Sequence, residues 1–186
     1  LMLEKESSPH LPKPKSGIET RDVFCLRSAM GWLELGMPSE ARKELQSLTP
    51  ALAKLPEVCG VHWSILAREE KWIEAEKLAR DQVSEHPDNV SNWINWAYSL
   101  RRADGFGIRV SYKTLRRAVD RFPKDSLIPY NLACYCSCMK VIDEAWRWLD
   151  IAAKRSDYKT IRKMALQDDD LKSLHDQLAD WSASKC

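Results

Sequence analysis

The sequence predicts an all-α protein built from repeated helix-turn-helix units, and three observations carry that expectation. Apolar residues recur at three- and four-residue steps in segments such as Trp93 to Arg102 and Tyr130 to Met139, the spacing of one helix face. No segment sustains the period-two alternation of a half-buried strand. Similar residues also return at a fixed interval. Ala41, Ala75 and Ala145 open the related runs Ala-Arg-Lys-Glu-Leu, Ala-Glu-Lys-Leu-Ala and Ala-Trp-Arg-Trp-Leu, with spacings of 34 and 70 residues and Ser111 at the intermediate place. Trp32, Leu66, Leu100 and Cys136 step by 34, 34 and 36, as do Ala29, Trp63, Ala97 and Ala133. A two-residue insertion near Asp104-Gly105-Phe106-Gly107 accounts for the longer step.

The elements follow in order. Residues 1–17, broken by charges and by Pro9, Pro12 and Pro14, read as a flexible lead-in, and residues 18–157 hold the repeats. A first unit, 22–55, turns at Gly36-Met37-Pro38-Ser39, where Pro38 suits a first helical turn because its missing N–H would have no partner there. The second unit, 56–89, breaks at Glu70-Lys71. The third, 90–125, is capped by Asp88 or Asn89 and breaks at Asp104 to Gly107. The fourth, 126–159, is capped by Asp125 or Ser126 and breaks at Lys140. Residues 158–186 read as a capping pair: a helix from Tyr158 to Gln167, then one starting at Asp168-Asp169-Asp170 and running through Trp181. Polar Lys172, Asp176 and Gln177 suit the solvent end of a stack.

Composition narrows the class of protein. With 44% hydrophobic and 30% charged residues among 186, the chain can bury a core and is not a disordered segment. Six glycines are too few for a barrel or sandwich of many tight turns. A formal charge of +2 sets no strong global field, and eight tryptophans imply thick packing layers or an adhesive surface. No apolar run approaches the roughly 20 residues that span a bilayer, so no membrane segment is expected. The six cysteines read as reduced thiols, and the location expected is cytoplasmic.

The repeat pattern resembles the tetratricopeptide family over roughly residues 22–159. With units starting at Asp22, Pro56, Val90 and Ser126, the small residue of the eighth place is Ala29, Ala97 and Ala133. The large residue of the eleventh is Trp32, Leu66 and Leu100. The small residue of the twentieth is Ala41, Ala75, Ser111 and Ala145, and the closing proline is Pro87 and Pro123. Asn95-Trp96-Ala97 and Asn131-Leu132-Ala133 are similar to the family's step in the first helix. Two departures stand out: Trp63 at an eighth place, and Ala53 where unit one should close with proline.

The resemblance implies a right-handed α-solenoid of about four helix-turn-helix repeats plus a C-terminal capping helix pair. It also implies a protein-protein interaction module, an adaptor, scaffold or chaperone-like assembly factor, binding a peptide or helix in a concave groove lined by first helices. The groove positions carried over include Leu26 and Met30 in unit one, Arg68 in unit two, and Ile94, Tyr98, Arg101 and Arg102 in unit three. Unit four adds Leu127, Tyr130, Cys134, Ser137 and Cys138. The expected ligand places apolar anchors near Tyr98 and Tyr130 and a carboxylate on Arg101 or Arg102. Leu26 and Met30 replace the Lys and Asn of the family's chaperone-binding clamp, so that clamp is not expected.

The rival reading is a basic stripe. Arg109, Lys113, Arg116 and Arg117 share a helical face and would suit nucleic acid or an acidic partner, although nucleic acid is the lesser expectation. No catalytic motif, cofactor loop or metal set is expected. Gly105-Phe106-Gly107 lacks the lysine and strand of a phosphate loop. Cys134, Cys136 and Cys138 read as buried small residues, because the four histidines are scattered and no second Cys/His cluster completes a zinc set.

Overall fold

In the computed structural model the described residues are 20–181; the lead-in at 1–17 and the last five residues of the capping segment lie outside them. Ten α-helices run in order: α1 Thr20–Glu34, α2 Pro38–Gln46, α3 Pro56–Arg68, α4 Trp72–Glu85, α5 Val90–Arg102, α6 Ile108–Arg116, α7 Leu127–Cys138, α8 Ile142–Arg155, α9 Tyr158–Ala165 and α10 His175–Ala179. Short 3-10 turns occupy Pro50–Leu52 and Asp169–Leu174, and no strand occurs among the described residues. The all-α expectation holds.

Sequence period and backbone geometry coincide at the hairpin turns. Met37 N–H donates to Trp32 O at 2.8 Å, Lys71 to Leu66 at 2.9 Å and Val141 to Cys136 at 2.9 Å. One residue earlier, Gly36, Glu70 and Lys140 donate to Leu33, Ala67 and Ser137, and all three have positive φ (72°, 56° and 62°). This paired bonding with a left-handed residue is the Schellman ending of a helix. It recurs at the interval read from the sequence. The residue after each left-handed one is then the N-cap of the second helix, with ψ near 64–72° at Met37, Lys71 and Val141.

The described residues divide into two compact units, 20–104 and 105–181. In the first, α3 packs against α1, α2, α4 and α5. Ala29 and Ala41 are fully buried beside Leu33 and Ile65, with Trp32, Leu45 and Val61 packed around them. Small side chains here let helices approach, and the large neighbours fill the space beside them. Trp63, the departure at the eighth place, is accommodated by its indole N–H, which donates to Ser99 Oγ at 2.9 Å, and by an edge contact with Tyr98. Asp22 accepts from Thr49 N and Oγ1, tying the start of α1 to the turn after α2. Of the two cap candidates before α5, Asn89 is the cap, accepting from Ser91 N–H.

In the second unit α7 is buried along most of its length between α6, α8 and the 3-10 segment. Asp125 Oδ1 accepts from Ile128 N–H at its start, and Arg155 donates to the carbonyls of Phe122 and Asp125. Asp157 caps α9, which ends at Ala165, close to the expected helix. The expected continuous helix from Asp168 through Trp181 does not form. Asp168 turns inward and accepts from Asp170 N–H, a 3-10 segment follows, and only His175–Ala179 is α-helical. A 3-10 turn eclipses residues three apart, so Leu171 and Leu174 bury together on one side, with 0% and 1% exposure.

Candidate functional site

Within residues 20–104 the first helices lie side by side, α3 packed against both α1 and α5. Along them Leu26, Met30 and Ile94 are half-buried, Arg68 is exposed and Arg101 is half-buried. These are places where a side chain can still meet a partner. Tyr98 is not one of them, since only 6% of it is exposed. Its ring meets Trp63 and Trp72 at 5.9 and 5.8 Å, and the Arg102 guanidinium lies 3.6 Å from its centroid and 5.3 Å from that of Trp72. Tyr98 is therefore a platform that orients Arg102. Trp72, at the start of α4, belongs to this cluster and was not among the sequence candidates; the high tryptophan count was its one signal.

On the same unit Arg42 donates through Nε and Nη2 to both carboxylate oxygens of Glu69, at 3.1 and 2.6 Å, and Lys71 lies 2.9 Å from the same carboxylate. The bond from Arg42 holds Glu69 below the usual carboxylate range. Burial, then the Arg42 charge, lowers the neighbouring His62.

Residues 105–181 treat their expected groove positions differently. Leu127 is half-buried, but Tyr130 is only 3% exposed and its hydroxyl donates to Asp168 Oδ2 at 3.0 Å. The Cys134 thiol reaches the same oxygen at 3.6 Å, Ser137 Oγ meets Ser173 Oγ at 3.1 Å, and the Cys138 thiol reaches Asp170 Oδ1 at 3.2 Å. The face of α7 assigned to a ligand is covered by the chain's own 3-10 segment, which removes Tyr130 as an anchor. Burial raises the Tyr130 hydroxyl and the Cys134 thiol well above their ordinary ranges, and nearby acidic groups add to both. Cys134, Asp168 and Asp170 bring ligand atoms within 4.8 Å of one another, a convergence of residues distant in sequence that spacing did not disclose.

The basic stripe is solvent-facing. Arg109, Lys113, Arg116 and Arg117 are all exposed, with Arg117 just past the end of α6 and Arg116 lying 5.2 Å from the Trp148 ring centroid. Behind the stripe, Tyr112 Oη donates to Glu144 Oε1 at 2.5 Å, and burial followed by that bond pushes the hydroxyl up to about 12. No described helix is long and apolar enough to cross a membrane.

No protein-family model and no curated protein matches the chain. Solved structures of MamA, a tetratricopeptide-like helical protein, are similar to it. The MamA RS-1 ArsTM double mutant aligns over 88% of this chain and 91% of that one, with 15% identity and a TM-score of 0.59. MamA MSR-1 C2 aligns over 87% of this chain and 96% of that one, with 16% identity and a TM-score of 0.55. At such identities the likeness shows the fold, an all-α array of tetratricopeptide-like hairpins.

Proposed function

We propose that the chain is a protein-interaction module whose ligand, an extended peptide or a helix, lies along the first helices of residues 20–104. The observation that supports this reading is the side-by-side packing of α1, α3 and α5, with half-buried Leu26, Met30 and Ile94 beside exposed Arg68 and the platform-held Arg102. Apolar side chains supply contact area, while Arg102, already fixed over Tyr98, loses little freedom when it meets a carboxylate. The fold likeness to MamA agrees with an array of this type.

The test is a peptide array scanned with the full chain, comparing peptides that carry apolar anchors with and without acidic residues. Leu26→Glu with Ile94→Glu is expected to reduce capture at least tenfold, and Arg68→Glu or Arg102→Glu to reduce it selectively for acidic peptides. Binding that survives Leu26→Glu with Ile94→Glu in a folded protein would place the ligand elsewhere. The exposed Arg109-Lys113-Arg116-Arg117 stripe favours a second reading, contact with nucleic acid or an acidic partner. That reading requires steeply salt-dependent retention lost on Lys113→Glu with Arg116→Glu.

A further inference from the structure

We infer that Cys134, Cys138, Asp168 and Asp170 form a binding site for a borderline divalent cation, zinc first, which pins the 3-10 segment onto α7. Two pairs of donors meet there. Cys134 and Cys138 stand one turn apart on α7, and Asp168 and Asp170 stand at the entrance of the 3-10 segment. The sulfur-to-oxygen separations are 3.6 Å from Cys134 to Asp168 and 3.2 Å from Cys138 to Asp170. Tetrahedral zinc, with bonds of about 2.3 Å to sulfur and 2.0 Å to oxygen, sets such ligand atoms about 3.5 Å apart. The ligand atoms of Cys134, Asp168 and Asp170 already fall within 4.8 Å of one another; Cys138 lies outside that trio, 3.2 Å from Asp170, where it can supply a fourth donor.

The surroundings fit a cation. Cys134 is fully buried and Asp168 is 1% exposed, so these two donors are shielded from water, while Asp170 is half-buried and Cys138 stands on the solvent side. Asp168 is oriented by the Tyr130 hydroxyl on Oδ2 and by Asp170 N–H on Oδ1, the outer bonding that holds metal carboxylates in place. Two sulfurs with two carboxylates select zinc or cobalt over magnesium or calcium, which take oxygen donors. On binding, each thiol gives its proton to solvent and each thiolate donates a pair to the metal. The cation therefore replaces two thiol protons, and its oxidation state does not change.

The experiment is titration of the full, reduced chain with Co2+, followed by Zn2+. The wild type is expected to develop an intense near-ultraviolet thiolate-to-cobalt band that saturates at one equivalent and is bleached by one equivalent of zinc. Cys138→Ser, at an exposed position, should keep the fold, halve the band and weaken affinity by roughly tenfold or more. Asp168→Asn should weaken affinity similarly, and Cys134→Ser with Cys138→Ser should abolish the band, with circular dichroism reporting the fold of each. Absence of the band in the wild type would overturn the site. So would full intensity in Cys138→Ser, or a band persisting in the double variant, since another cysteine would then be the ligand.

Discussion

At the residue scale, the second unit depends on a few polar contacts made out of water. Asp168 is buried and receives bonds from Tyr130 and Asp170 as well as the Cys134 thiol, so removing one donor leaves an acceptor poorly served in an apolar setting. Tyr130→Phe is expected to destabilise the protein by about 1–3 kcal/mol in denaturant unfolding, and an unchanged midpoint would count against this role. In the first unit Glu69 and His62 make stability depend on pH in the same direction. Glu69 has a lowered folded pKa, so its contribution is present above the unfolded carboxylate range near 4.5 and lost as pH falls through the folded value. His62 is lowered from 6.5, so the unfolded chain takes up its proton first and stability declines as pH drops below 6.5. Replacing His62 with Gln should flatten the stability profile just below pH 6.5, and Glu69→Gln should flatten the more acidic limb while lowering stability at neutral pH by about 1 kcal/mol.

At the scale of elements, the turn between paired helices is the most regular feature of the chain. Gly36 enters the left-handed region without a side-chain penalty, whereas Glu70 and Lys140 carry a Cβ there at φ 56° and 62°. Lys140→Gly is expected to raise stability by about 0.5–1 kcal/mol, read as a higher midpoint, with a fall meaning that the lysine side chain is needed. Helix identity and period were legible because two series of buried small residues, Ala29, Ala97 and Ala133 and Ala41, Ala75 and Ala145, recur at one or two steps of 34–36 residues. The end of the chain was less legible. Asp168-Asp169-Asp170 reads locally as a helix cap, and Asp168 does cap, yet Leu171 and Leu174 need the tighter 3-10 spacing to bury together against α7, a demand set by tertiary packing.

At the scale of the whole molecule, the division into two compact units carries its own expectation. Residues 20–104 contain five packed helices with a buried centre of Ala29, Leu33, Ala41 and Ile65. That fragment should keep helical circular dichroism and unfold cooperatively alone; a featureless melt would show that it requires the remainder. The candidate groove was legible only as positions. The repeat pattern places Leu26, Met30 and Ile94 at half-buried positions, as the proposed groove requires, but it assigns Tyr98 and Tyr130 to the same role because it cannot register which aromatic rings neighbouring segments will cover. Tyr98 went to Trp63, Trp72 and Arg102, and Tyr130 to Asp168.

The 3-10 segment lying on α7 carries a lesson for engineering. A helical repeat normally grows by laying the next hairpin on the last, and here that landing strip is already taken by residues 168–174. Grafting extra repeats after α8 would set the newcomer in competition with this built-in stopper, so a lengthened array calls for excising the stopper first.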